Sequence, residues 1–291
     1  MRLRLVFAGV VAVVLSGALA TSAFAVTIKE LKRPSPSWYT PALHQRVLAA
    51  GAKGLAIPQE SLNVACPGYA AKGVNAGGCI VFPFGCTANF VFTDGTSKYI
   101  GTARHCVDVG AKGGNDVGTP LVMQVDATHV AQVGTVVKHT SGTGDVGNDF
   151  ALTKIDAAVA AKWGVNPAIP VWGGPFGVYT GCDVVAVKHY GHGYGVAVSQ
   201  GYPRAGVATN WRGSGYGWTG HVAPGDSGSP VIRGARDAVG NLTHLIVDPL
   251  GFPGSDVAGM RMTAILSFLG SGYRLVDQGG GTSSATSSCS N

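Results

Sequence analysis

The most informative stretch of this chain is Gly225-Asp-Ser-Gly-Ser-Pro230. Two glycines flank a serine, a composition that permits a tight turn and leaves one hydroxyl presented on it. A serine hydroxyl is a weak nucleophile at neutral pH and needs a neighbouring base. Upstream, Gly101-Thr-Ala-Arg-His-Cys106 supplies an imidazole and Gly147-Asn-Asp-Phe-Ala-Leu152 a carboxylate. Singly, each motif is ordinary: a turn in a glycine-rich protein, a structural histidine beside a cysteine, an aspartate at a turn. Jointly they hold the three groups of a nucleophile, base and orienter. His105 would take the proton of Ser227 and return it to a leaving amine, and Asp149 would fix the imidazole tautomer. The backbone N–H groups of Gly225 and Ser227 would receive a developing oxyanion.

In their order His105, Asp149, Ser227, and in their wording, these motifs resemble those of the chymotrypsin-fold serine endopeptidases of the bacterial secreted type. That family carries its histidine in T-A-x-H-C, its aspartate in D-[FIY]-A-L and its serine in G-D-S-G-[SG]-P. The resemblance covers residues 79–276. It implies an all-β fold of two packed six-stranded antiparallel β barrels with the active site in the cleft between them. It also implies peptide-bond hydrolysis through an acyl-enzyme on Ser227, with protein or peptide substrates and neither a metal nor an organic cofactor. The family pairs the cysteine after its histidine with one on a preceding strand, which implies Cys86–Cys106 here. Cys66–Cys79 is then the natural local pair, and Cys182–Cys289 follows by elimination. The family's disulfide just before the Gly-Asp-Ser-Gly turn is missing, since Ala223 and Pro224 stand there.

The resemblance also suggests a substrate pocket. His221, six residues before the nucleophile, falls at the position of the pocket floor, and the segment from Val247 through Asp248 to Gly251 resembles one pocket wall. A histidine floor cannot neutralise a basic side chain. An unpaired buried charge costs several kcal/mol, so the residue before the cut bond is expected to be apolar or acidic and not Arg or Lys. Asp248 would weaken that expectation if it pointed into the pocket.

Outward from these motifs, short apolar runs are punctuated by Gly, Asn, Asp and Pro, as in all-β barrels or sandwiches. Residues 87–92 and 97–103 read as a hairpin around Thr93-Asp94-Gly95. Further strands are expected at 121–125, 130–138, 150–155, 183–190, 195–200, 207–211, 229–233, 242–247 and 259–265. The halves, about 79–160 and 175–276, meet across an Ala-rich turn (157–161) and a Pro/Gly-rich crossover. Residues 26–65 read as a pro-segment or N-terminal extension with one helix near 40–48, Thr40 capping it and Pro41 at its first position. The protease-like domain then spans 66–276. Residues 277–291 read as a flexible Gly/Ser/Thr tail.

The 45 glycines among 291 residues show no triplet period, which excludes collagen, and only 12% of residues are charged against 46% hydrophobic, which argues against a highly charged disordered chain. The net charge of +6 includes Arg2 and Arg4 of the N-terminal 25 residues. The rest is scattered, which argues against nucleic-acid binding. Those first residues have a basic start, an apolar stretch and Ala23-Phe24-Ala25, the parts of a secretory signal peptide spanning 1–25. Without it no stretch is long enough to span a membrane, and the six cysteines suit an oxidising compartment. The rivals are a secreted binding or adhesion module on the same scaffold, with little turnover, and an uncleaved N-terminal anchor. His189 and His192 have metal-like spacing but read as part of a strand and turn.

Overall fold

The computed structural model describes residues 27–68, 72–110, 114–142, 145–194, 203–234, 236–247, 256–285 and 288–289. The expected signal segment 1–25, the strand expected at 195–200 and Asp248 lie outside these residues. Two large, mainly antiparallel sheets make up the molecule. The first runs Thr282–Ser283, Arg274–Val276, Val91–Thr93, Lys98–Thr102, Ala151–Ile155, His129–His139, Pro120–Gln124, Cys79–Phe82 and Cys86–Thr87, with Leu55–Ala56 also paired to His129–His139. The second runs Thr27–Glu30, His244–Val247, Asp256–Met260, Gly215–Gly220, Pro203–Arg212, Val185–Tyr190, Pro230–Arg233, Asp237–Asn241 and Gly177–Val178. Each sheet is longer than the six strands expected: Leu55–Ala56, Arg274–Val276 and Thr282–Ser283 add to the first, and Thr27–Glu30 and Gly177–Val178 to the second.

The local rules are visible in the 91–102 hairpin. Thr93 pairs with Lys98. The Asp94 carboxylate accepts from the N–H groups of Thr96 and Ser97, and Tyr99 donates its hydroxyl to it at 2.6 Å. Each half has its own apolar core. Ile80, Val91, Ile100, Leu121, Met123 and Val133 fill the first, and Val187, Trp218, Val231, Val239 and Val257 the second. A third cluster joins the halves: Phe90, Phe92, Phe150 and Leu152 from the first meet Ile232, Met260, Ile265 and Leu266 from the second. At roughly 1.5–3 kcal/mol for each large side chain buried, this seam is a substantial part of what packs one half on the other.

Four expectations change. Residues 259–265 do not form a single strand: Asp256–Met260 is extended and Met262–Leu269 is a helix, whose apolar face enters the seam at Ile265, Leu266 and Leu269. The Ala-rich turn is the helix Ala157–Trp163, capped by Asp156, which accepts from the Ala158 N–H. Gly215–Gly220 is a strand that a glycine-rich reading passes over. The tail is not free: Leu275 pairs with Ser283, and Cys289 is bonded to Cys182. Upstream, the helix Pro41–Ala50 forms with Thr40 accepting from the Leu43 N–H. Tyr39, Val47 and Leu62 are buried with Val81, Val122 and Val130 of the first sheet, beside the Cys66–Cys79 bridge. Most of 34–65 is thus packed onto the first half. Among the described residues no helix is long and apolar enough to cross a membrane.

Candidate active site

His105 sits in the short 3-10 turn Arg104–Cys106 at the end of Lys98–Thr102, and the Cys86–Cys106 bridge ties that turn to the neighbouring strand. Asp149 lies just before the strand Ala151–Ile155. Ser227 occupies the turn before Pro230–Arg233 in the second half. The three meet across the cleft. His105 Nδ1 lies 2.6 Å from Asp149 Oδ2, and its Nε2 lies 2.6 Å from Ser227 Oγ. The His105 backbone N–H donates to Asp149 Oδ1 at 3.1 Å, so the carboxylate grips the residue twice. All three side chains are buried, Ser227 completely.

Burial by itself raises the Asp149 carboxyl, but the facing His105, through charge and hydrogen bond, and the nearby His244 outweigh it and hold it down at about 2. It is therefore an anion at neutral pH, as an orienting acceptor must be. Asn241 Nδ2 donates to the Asp149 carbonyl at 2.9 Å. Asn241 is fully buried in the folded chain, so its Asn-Leu-Thr sequence is not presented at the surface. The Ser227 hydroxyl is also within 3.1 Å of the Thr243 carbonyl.

The turn around Ser227 requires two of its glycines. Gly225 has φ +108° and Gly228 φ +90°, and a Cβ at Gly228 would run into the Thr87 carbonyl. Between them, Asp226 is fully buried and satisfied on both oxygens. Oδ1 accepts from the Gly193 N–H and Oδ2 from the Ala223 N–H, each at 2.8 Å, and Oδ2 also pairs with Arg204 Nη1. Arg204 donates to the Gly193 carbonyl as well.

Several neighbours had no signal in the sequence. His244 Nδ1 lies 3.7 Å from Asp149 Oδ2, and its ring centroid lies 5.5 Å from that of His105. Its place beside the triad follows from strand register, which no local motif encodes. Arg204 is separated from Asp226 by 22 residues and has no motif around it. Leu31, far upstream, donates its N–H to Ser227 Oγ at 3.0 Å.

The expected pocket residues fare differently. The His221 side chain is exposed rather than buried as a pocket floor would be, and its carbonyl lies 3.3 Å from His189 Nε2. Val247 pairs through its backbone with Thr27. His189 and His192 are buried apart, His192 with its two ring nitrogens near the carbonyls of Pro67 and Gly77, and do not converge on a shared point. All three expected disulfides are formed: Cys66–Cys79, Cys86–Cys106 and Cys182–Cys289.

No family model matches the sequence, and no curated protein matches it. Solved structures do. A Cellulomonas bogoriensis chymotrypsin is 21% identical, with 70% of this chain and 98% of that chain covered at a TM-score of 0.45. A glutamic acid specific serine protease described as using a histidine triad in substrate binding is 21% identical, over 67% of this chain and 96% of that one, at a TM-score of 0.44. An α-lytic protease homologue is 18% identical over 67% and 96%, also at 0.44. What this chain resembles, in the motifs of its sequence and among solved structures, is the chymotrypsin-fold bacterial serine proteases.

Proposed function

We propose that this protein is a secreted serine endopeptidase that works through an acyl-enzyme on Ser227. The observation that carries the reading is the continuous hydrogen-bonded line from Ser227 Oγ through His105 to Asp149, at 2.6 Å for each link. His105 Nε2 accepts the hydroxyl proton as Oγ attacks a peptide carbonyl, and Asp149 stabilises the imidazolium so formed. The Gly225 and Ser227 N–H groups face the developing negative charge. The imidazolium protonates the departing amine, and water then releases the acyl group by the same steps in reverse. Secretion is supported by the signal-type segment at 1–25 and by the three disulfides. A fluorophosphonate probe tests the function: it should form an adduct on Ser227 and none on a Ser227→Ala variant. A binding module with little turnover would leave the serine unlabelled.

A further inference from the structure

The segment Thr27–Arg33 lies across the triad in extended form. Thr27, Ile28, Lys29 and Glu30 form an antiparallel ladder with Val247, Ile246, Leu245 and His244. That strand follows Thr243, whose carbonyl touches the Ser227 hydroxyl. At Leu31 the chain reaches the nucleophile. Its N–H donates to Ser227 Oγ at 3.0 Å, and its carbonyl accepts from the Gly225 N–H, one of the two donors placed for the oxyanion. The Leu31 side chain is 3% exposed and enters the apolar cluster of the second half, with Val222 and Leu245 packed against that cluster. Two residues on, Arg33 and Gly85 exchange both backbone hydrogen bonds, at 2.9 and 2.8 Å, on the far side of the cleft beside Cys86.

One peptide group, Leu31–Lys32, is therefore held from both sides with its carbonyl on an oxyanion donor. A main-chain ladder with one buried side chain is how a peptide is recognised by a sheet edge. A mere spacer would need none of these contacts. The residue before Leu31 is placed as well: Glu30, His105 and His244 bring one carboxylate or imidazole atom each within 4.8 Å of one another. Lys32 Nζ donates to the His105 carbonyl at 2.9 Å.

We propose that Leu31–Lys32 is this protein's own processing site, cut by the Ser227 of the same chain. This rests on the protease reading above. Ser227 Oγ bonds to the Leu31 carbonyl carbon while His105 takes the hydroxyl proton. The C–N bond to Lys32 breaks as His105 returns that proton to the Lys32 nitrogen. Water hydrolyses the ester, freeing Ser227 and a peptide that ends in the Leu31 carboxylate. The chain from Lys32 onward stays docked, because Arg33 donates to the Ala65 and His192 carbonyls and Tyr39, Val47 and Leu62 are buried in the first half. The cut clears the cleft and does not need to build it. Asp226 already has Arg204 as its partner, so no newly made amino terminus is required to order the turn around Ser227.

The test is N-terminal sequencing and intact mass of the exported full chain, alongside Ser227→Ala. The parent should begin at Lys32, with a rate of conversion unchanged on dilution, as an intramolecular step requires. Ser227→Ala should keep residues 27–31. A Lys29→Pro variant, which interrupts the ladder at an exposed residue, reports on the triad independently through fluorophosphonate labelling. Leu31→Asp, which removes the apolar anchor, serves the same purpose should the first variant fold poorly. A parent that keeps residues 27–31 while an opened variant is labelled on Ser227 overturns the processing site alone. So does a Ser227→Ala chain that still begins at Lys32. Absence of label in the parent and in both opened variants overturns the protease reading, and the processing site with it.

Discussion

The guanidinium of Arg204 and the carboxylate of Asp226 form an ion pair closed off from solvent, one residue before Ser227. Burial lowers the Arg204 guanidinium to about 10, which still leaves it charged at neutral pH. Removing one member of such a pair strands the other. Arg204→Met is expected to lower stability by about 3–5 kcal/mol, read as a reduced urea midpoint. Turnover should fall with it, because Asp226 also holds the Gly193 and Ala223 N–H groups beside the turn that carries Ser227. An unchanged midpoint would show that the pair contributes nothing net.

Ser227→Ala removes a single oxygen from a filled site. The fold should survive, as circular dichroism and the urea midpoint would report. Turnover on peptide substrates should drop by about 10⁶-fold, the order seen when a triad member is lost. Near-parental hydrolysis by this variant would remove Ser227 from the mechanism.

The disulfides should differ in their response to reductant. Cys86 and Cys106 are both fully buried, whereas Cys182 and Cys289 are partly exposed. Mild reduction followed by alkylation and peptide mapping should therefore mark Cys182 and Cys289 first and leave activity largely intact. Loss of the Cys86–Cys106 bridge, which closes a separation of 20 residues, should cost roughly 3 kcal/mol and release the turn that carries His105.

Acid should destabilise the protein before its carboxylates titrate. Burial holds His192 down to about 4, and burial together with the Arg204 charge holds His189 down to about 3. In the unfolded chain a histidine titrates near 6.5. Below about 6.5 the unfolded state therefore binds protons that the folded state refuses, and stability falls with pH. The contribution is complete above that value and is lost progressively down to about 4 and 3. Urea midpoints at neutral pH and near pH 4.5 should differ. A His192→Gln variant, whose amide can still donate to a carbonyl, should show a shallower dependence. An equal slope in parent and variant would assign the acid sensitivity elsewhere.

Peptide-library profiling should show cleavage after apolar residues, Leu foremost, because Leu31 is the side chain that the cleft buries. His221→Ala should leave that preference alone, since the His221 side chain is exposed. Strong cleavage after Arg or Lys would overturn the expectation and point back to Asp248.

The meeting of His105, Asp149 and Ser227 was legible in the sequence because each sits in a local motif whose residue types serve its own turn. His105 precedes a bridged cysteine, Gly225 and Gly228 take left-handed φ values, and Asp149 opens a strand. The hairpin around Asp94 was legible for the same reason. What failed to show was everything set by long-range register. His244 reaches Asp149 only because its strand lies where it does, and the strand of Arg204 is separated from the one that follows Asp226 by Val185–Tyr190. The pocket expectation transferred a position from a family whose disulfide beside it is absent here, and His221 then fell on the surface. The strand Gly215–Gly220 was missed because its partners across the sheet override the low strand propensity of glycine, and the helix Met262–Leu269 because the expected strand ran across the boundary at Arg261.

The closing strand Arg274–Val276 comes from the end of the chain yet pairs with Val91–Thr93 near its beginning, and the Cys289–Cys182 bond anchors the terminal segment beyond that strand. The polypeptide thus latches its late half onto its early half, and the two halves between them carry His105, Asp149 and Ser227. For the halves to part, the latch strand must first be peeled from its partner. That places a barrier in front of the opening that would expose interior peptide bonds. How long the chain resists cleavage at those interior bonds is then set by the rate of that opening, whatever its equilibrium stability.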